Sequence, residues 1–334
     1  MITVDRSEAE RTAAAAFEAH GISTADAAHT AQVLVSADAE GKHSHGLLRL
    51  SRFLQGVKHG NVAPDGDIRI TRDHGATAQL SGGSRLGPVV ATEAMAEACV
   101  RADEYGIGCV GVVDSNHLGM LGYYTDAARQ DGYVALGLTN TEPAMPPYGS
   151  AEPVLGTNPI AVGLPTDPPF NLDMSTAAIA RGRVKRAAEQ GESLPNGVAL
   201  DTDGEPTTDP EAALEGTIRP FGGPKGSGLA VAVEVLAGGL VGADMGAAVT
   251  GTYHTKDPCT KGDLFVALDP AAIGGEHAVS RIERFLSQLV HSEPAPGFET
   301  VRLPGARDVA ADDAEQINVD AAVWTEVQRF ATGE

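Results

Sequence analysis

A chain of 334 residues, 42% of them hydrophobic, can bury a substantial core, and with only 4% aromatics that core must be built largely from Ala, Val, Leu and Ile. Its net charge of −21 argues against a nucleic-acid or anionic-membrane partner, because phosphate is repelled over most of the surface. Three cysteines (Cys99, Cys109 and Cys259) without CxxC spacing give neither a disulfide framework nor a zinc site.

The only lysines are Lys42, Lys58, Lys185, Lys225, Lys256 and Lys261, the rest of the 24 basic residues being arginine. An acidic, lysine-poor surface suits a halophilic protein kept hydrated in concentrated salt, where its self-repulsion is screened within a Debye length of about 3 Å at 1 M. An ordinary acidic cytosolic protein is the plainer alternative. The N-terminus "MITVDRSEAERTAAAAFEAHG" carries early acidic residues and no long apolar run, so no signal peptide is expected. No window approaches the ~20 uninterrupted apolar residues of a membrane span. The expectation is a soluble, cytoplasmic protein.

In chain order, Ser7 to Glu18 has a helical pattern ending near Gly21, and "STADAAHTAQVLVSADAEG" reads as a second helix with Ser23 or Thr24 as its N-cap. "LLRLSRFLQGVKHG" predicts a third, so the first sixty or so residues form a helical lobe. Around "IRITRDHGATAQLSGG" the period becomes strand-like. "GPVVATEAMAEACVRADEYG" predicts a helix ending at Gly106, followed by a buried strand "CVGVVDS", a helix "LGYYTDAARQDG" and a strand "YVALGLTN". Further strands are expected at "PIAVGLP", "FNLDM" and "LFVALDP", and helices at "AAIARGRVKRAAEQG", "GSGLAVAVEVLAGGL", "AVSRIERFLSQLVHS" and "NVDAAVWTEVQRF". The turn-rich stretch from "GESLPNGVALD" through "GEPTTDP" reads as a surface excursion between lobes.

Gly106-x-Gly108-x-x-Gly111 has the letters of a dinucleotide-binding turn. Such a motif must follow a strand and open a helix, so that phosphate meets the helix N-terminus. Here Gly106 follows a helix, as a left-handed C′ glycine does, and the other two glycines lead into a strand. The motif is a decoy.

Three segments carry residues suited to chemistry. "KHSHGLLRL" gathers His43, Ser44, His45 and Arg49. If a helix runs from Gly46, His45 and Arg49 share a face, and a guanidinium fork beside an imidazole suits a small carboxylate with a neighbouring oxygen. A surface helix with a solvated Arg is equally compatible with the segment alone, and His43-x-His45 leaves a metal site open. In "DSNHLGMLGYY", His117 follows a buried strand and suits general acid/base work; Ser115 and Asn116 could instead simply cap the next helix. "FGGPKGSGLA" opens a helix with glycines and Lys225, an anion site by backbone N–H groups and helix dipole but not a P-loop.

Taken in order, SHG-x-x-R (44–49), SNHLGxLGYY (115–124), TNTEPAMPPYG (139–149), GTNPIAVGLP (156–165), DMSTAAIARGRV (173–184), GGPKGSGLA (222–230) and LPGAR (303–307) resemble the malate/L-lactate dehydrogenase type 2 family, which includes ureidoglycolate and sulfolactate dehydrogenases, diketogulonate reductase and piperideine-2-carboxylate reductase. The resemblance covers nearly the whole chain. It implies an α/β fold, a non-Rossmann mixed-sheet NAD(P)-binding fold with an N-terminal helical lobe (1–72), a dimerisation lobe (73–118 plus 300–334) and an NAD(P)-binding lobe (119–299). It implies His117 as proton donor and acceptor, and Ser44, His45 and Arg49 around the substrate carboxylate. It implies Thr141, Asp173, Met174, Ser175, Lys225, Pro304 and Gly305 around NAD or NADP. The partners expected are a small 2-oxo or 2-hydroxy acid and a second copy of the chain. Phe53 stands where some relatives carry a tyrosine, so a hydroxyl contact to substrate is missing here. The segment "TKDPCTKGD" (255–263), where relatives can place a further substrate-binding residue, is left unassigned. Reduction of a cyclic imine carboxylate, a metal hydrolase built on His43, His45 and His117, and a non-catalytic binding protein are the competing readings.

Overall fold

The computed structural model describes residues 1–306 and 315–333; Arg307, the end of the LPGAR motif, lies outside them. The chain opens with a short strand, β1 (Ile2–Asp5), and the helices α1 (Arg6–Ala19) and α2 (Thr24–Ala39). Asp5 and Ser23 cap these helices by accepting the N–H groups of Glu8 and Asp26. After two 3₁₀ turns comes α3 (Leu50–His59), closed by Gly60 in the left-handed conformation. The lobe is not purely helical, because β1 pairs antiparallel with β12 (Gln316–Val319), and α11 (Ala321–Ala331) follows at once. Phe17, Leu34, Leu50, Phe53, Ile317 and Trp324 share one core, so the two ends of the chain are packed together.

The central sheet contains β2 (Arg69–His74), β3 (Thr77–Ser81), β4 (Ile107–Val113), β5 (Val134–Thr139), β6 (Ile160–Leu164), β7 (Phe170–Met174) and β11 (Asp263–Leu268). Their order is β2-β3-β4-β11-β5-β6-β7. Only β3 and β4 are parallel, joined through α4 (Gly87–Tyr105); the remaining pairings are antiparallel. This is the mixed, non-Rossmann sheet expected. Gly106 ends α4 with φ 79° and donates its N–H to Ala102 O. A Cβ on Gly108 would lie 1.9 Å from Ala98 O, so that glycine lets α4 press onto β4. The glycines of the decoy cap a helix and pack it against a strand.

Two further differences from the sequence reading concern the second half. The turn-rich excursion is a small unit in its own right. Strands β8 (Ala199–Leu200), β9 (Pro206–Thr207) and β10 (Thr217–Ile218) pair antiparallel. With α6 (Arg181–Gln190) and α7 (Pro210–Glu215) they enclose Val184, Leu194, Ala199 and Ile218. Beyond it, α8 (Pro224–Val233) passes into a π-helical turn at Glu234–Gly239, whose carboxylate at Glu234 accepts from the buried amides of Asn140 and Asn158. The remaining helices are α5 (Gly122–Gln130), α9 (Pro270–Gly274) and α10 (Ala278–Val290).

Candidate active site

His117 sits in the loop between β4 and α5, and that loop is fixed from several sides. Asn116 Nδ2 donates to Ser84 O (2.8 Å) and Arg85 O (3.0 Å), and the buried Tyr124 hydroxyl donates to Leu118 O. A Cβ on Gly87 would fall 2.2 Å from His117 O, so only glycine lets the start of α4 meet this loop. The α5 helix starts without a side-chain cap, so Asn116 pins the loop to the 84–85 turn instead of capping the next helix. Gly119 N–H donates to His117 Nδ1 (3.0 Å), which places the proton of the neutral ring on Nε2 and leaves that edge for a substrate oxygen.

The residues expected on the substrate side follow α2. Residues 43–49 form two 3₁₀ turns, His43–His45 and Leu47–Arg49, where the sequence suggested an α-helix from Gly46. The reason is the buried Asp38. Its Oδ2 accepts from Leu47 N–H (2.7 Å), its Oδ1 pairs with His43 Nδ1 (2.8 Å), and a Cβ at Gly46 would lie 2.3 Å from the carboxylate. His43 is thus turned to Asp38. His45 instead lies beside His117, ring centroids 5.9 Å apart, and its Nδ1 meets the Ser44 hydroxyl at 2.9 Å. Among the described residues no group of three or more His, Cys, Asp and Glu is placed to hold a metal ion.

Arg49 folds back so that Nε donates to Ser44 O (2.6 Å). Burial, and then the nearby Arg52, push its pKa down to about 10, so it stays charged at neutral pH. The His117 imidazolium is disfavoured by burial first and then by Arg49, Arg52, His45 and Lys261, which hold its pKa well below 6.5. Burial and Arg49 likewise push His45 down to about 4, against the opposing field of Asp173. Phe53 is fully buried and stands edge-on to His117 at 6.2 Å.

The unassigned segment and the residues just before it reach this region. Gly251 O accepts from Arg52, Thr255 O accepts from Asn61 Nδ2 (2.9 Å), and Lys261 and Asp263 form a buried ion pair at 2.5 Å. Arg52 and Lys261 were not singled out in the sequence. The available signal was the one-turn spacing of Arg52 from Arg49 and the rarity of lysine in this chain.

Residues 4–328 match the malate/L-lactate dehydrogenase family. The chain belongs to that family. It is 44% identical over 287 residues to an L-sulfolactate dehydrogenase of Methanocaldococcus jannaschii, covering 85% of this chain and 83% of that protein. It is 34% identical over 333 residues to a (2R)-3-sulfolactate dehydrogenase (NADP(+)) of Chromohalobacter salexigens, covering 97% and 96% respectively. The solved sulfolactate dehydrogenase from M. jannaschii superimposes with a TM-score of 0.94 at 38% identity, over 99% of this chain and 97% of that one.

Of the residues expected around the dinucleotide, Asp173 to Ser175 and Pro304 with Gly305 meet opposite ends of β7, whereas Thr141 follows β5 and Lys225 lies in α8. Asp173, Met174 and Ser175 lie at the end of β7, where Asp173 Oδ2 accepts from Lys42 Nζ (3.2 Å). Thr141 Oγ1 accepts from Thr157 N–H (3.0 Å). Pro304 O accepts from Asn171 N–H (3.1 Å), and Gly305 packs against the Asn171 backbone, near the start of the same strand. Lys225 stands exposed in the first turn of α8, after Gly222 and Gly223, both with positive φ. A Cβ on Gly222 would meet nothing within 4 Å, and one on Gly223 only the Tyr148 ring at 3.5 Å. An open glycine bend, a helix start and a lysine without an ion pair among the described residues fit a phosphate-bearing cofactor. Gly182, in the first turn of α6, faces Ser44, which brings that helix start beside the 43–49 turn.

Proposed function

We propose that the protein is an NAD(P)-dependent oxidoreductase that interconverts a small 2-hydroxy acid and its 2-oxo acid, with the malate and sulfolactate class as its substrates. The observation that carries this is a half-buried imidazole, His117, walled by His45 and close to the Arg49 and Arg52 guanidinium groups, which form no ion pair among the described residues. When bound, the nicotinamide supplies or accepts the hydride at C2.

The residues of the chain do the rest. Arg49, its Nε held by Ser44 O, offers its terminal nitrogens to the C1 carboxylate and so orients C2. His45 borders the same space, and its low pKa keeps it a neutral hydrogen-bonding group. In the free enzyme His117 is neutral and donates from Nε2. An anionic substrate neutralises the guanidinium field and favours the imidazolium, whose second proton on Nδ1 opens the Gly119 contact. In reduction the developing alkoxide takes the Nε2 proton and the ring is left neutral; in oxidation that bare Nε2 removes the hydroxyl proton.

Thr141, Asp173, Met174, Ser175, Lys225, Pro304 and Gly305 are the proposed cofactor contacts. Arg181, Arg183 and Lys185, all exposed along the start of α6, favour a cofactor with a 2′-phosphate. The exposed apolar residues Val231, Val235 and Leu240 (66% exposed) support a homodimer, and the charge of −21 supports a salt-adapted protein. NADH and NADPH oxidation with oxaloacetate, sulfopyruvate, pyruvate and a cyclic imine acid, in low and molar salt, tests these points together. His117→Ala lowers kcat by roughly 10²–10⁴. A variant as active as the parent would remove His117 from the proton path.

A further inference from the structure

Arg52 lies three residues beyond Arg49, on the first turn of α3, so the two side chains leave the same helical face about 5–6 Å apart at Cβ. Its Nη2 donates to Gly251 O, while its Nε is buried without a hydrogen-bond partner. Neither guanidinium forms an ion pair among the described residues. Glu142 acts on Arg52 only at longer range, and Tyr253 and Cys259 are the other groups whose fields favour the two cations. The third cation near His117, the buried Lys261, is already matched by Asp263. Among the described residues, then, these two positive charges have no anion of the protein in contact with them. A monoanionic 2-oxo acid can neutralise one of them.

We infer that Arg52 is a specificity-determining residue that binds a second anionic group of the substrate, a carboxylate or sulfonate beyond the reacting carbon, so that the site selects dianionic over monoanionic 2-oxo acids. The inference rests on the oxidoreductase reading. A half-buried guanidinium whose Nε–H is buried and orphaned is completed by an acceptor, and an anion is the strongest one available. The one-turn spacing from Arg49 is of the order of the distance between the two ends of a short diacid. Arg49 takes the carboxylate next to C2 and Arg52 takes the far group, which fixes the face of C2 presented for hydride transfer.

The test compares oxaloacetate with pyruvate in the parent, Arg52→Gln and Arg52→Lys proteins. The parent prefers oxaloacetate, and Arg52→Gln lowers the ratio of the two kcat/KM values by about 30- to 1000-fold. Arg52→Lys, which keeps the charge, retains part of the preference. Equal losses on both substrates would make Arg52 a tether for Gly251 and overturn the inference, as would a parent enzyme indifferent to the second charge. An unreactive pair separates this from failure of the functional reading. With reduced cofactor present, succinate protects the parent against thermal unfolding more than propionate does, and Arg52→Gln loses the difference. If no 2-oxo acid turns over, the oxidoreductase reading falls. Succinate protection that depends on Arg52 then still supports a two-anion site, and its absence overturns that as well.

Discussion

Two groups of charge flank His117, one buried and one half-buried, and they are built on opposite principles. Lys261 and Asp263 lie two residues apart at the start of β11, are almost wholly buried, and hold each other at 2.5 Å. Arg49 and Arg52 lie one turn apart around the start of α3 and hold no carboxylate among the described residues. The paired charges cancel and serve the architecture, whereas the unpaired ones keep a field that only a ligand can cancel. A buried charge without a partner lowers stability and is retained where a site uses it.

Breaking the paired group gives the largest effect expected. Asp263→Ala strands the Lys261 ammonium, and denaturant unfolding should register a loss of about 3–5 kcal/mol. Lys261→Met combined with Asp263→Leu should recover most of that loss, since an apolar pair needs no compensation. The unpaired group should behave in the opposite way. Arg49→Gln raises KM for a 2-oxo acid by about 30- to 1000-fold, yet unfolds no more easily than the parent, within about 1 kcal/mol. A marked loss of stability in Arg49→Gln would mean that the guanidinium is structural and that the contrast fails.

A smaller, graded test uses pH. His45 is pushed down to about 4 and His117 well below 6.5, in both cases by burial first and then by the cations around them. The unfolded chain, with ordinary histidines near 6.5, binds protons more readily than the folded one, so the stability from these two groups rises with pH. It is fully present above about pH 6.5 and is lost as the pH falls from there towards about 4. Unfolding midpoints across that window should fall with acid, and less steeply in Arg49→Gln, where part of the field that depresses both histidines is gone. An equal slope in both proteins would show that Arg49 does not contribute to these values.

Most elements were legible because their signals are local. The caps at Ser23 and Gly106, the alternation in β5 and β6, and the loop containing His117 can all be read within a dozen residues. The mixed-sheet family fold and a hydride-transfer chemistry followed from motifs in their order along the chain. What the sequence could not supply were pairings across long separations. Strand β12 finds β1 across the whole chain, and β11 inserts between β4 and β5 although both precede it by more than a hundred residues. Four-residue strands carry too little periodicity to announce such partners. The turn at 43–49 was misjudged for a similar reason, since Asp38, which shapes it, belongs to the preceding helix.

The sequence by itself determined the acidic surface, the local helices and strands, and which residue types were available for acid/base and anion chemistry. Tertiary structure alone decided which charges are matched. Lys261 and Arg52 read as equivalent cations in the chain, but one is folded onto Asp263 while the other enters a buried space with one N–H unpartnered. Their difference is a matter of distance and burial, and neither exists until the strand from residue 263 and the turns from residue 43 are brought to the same histidine.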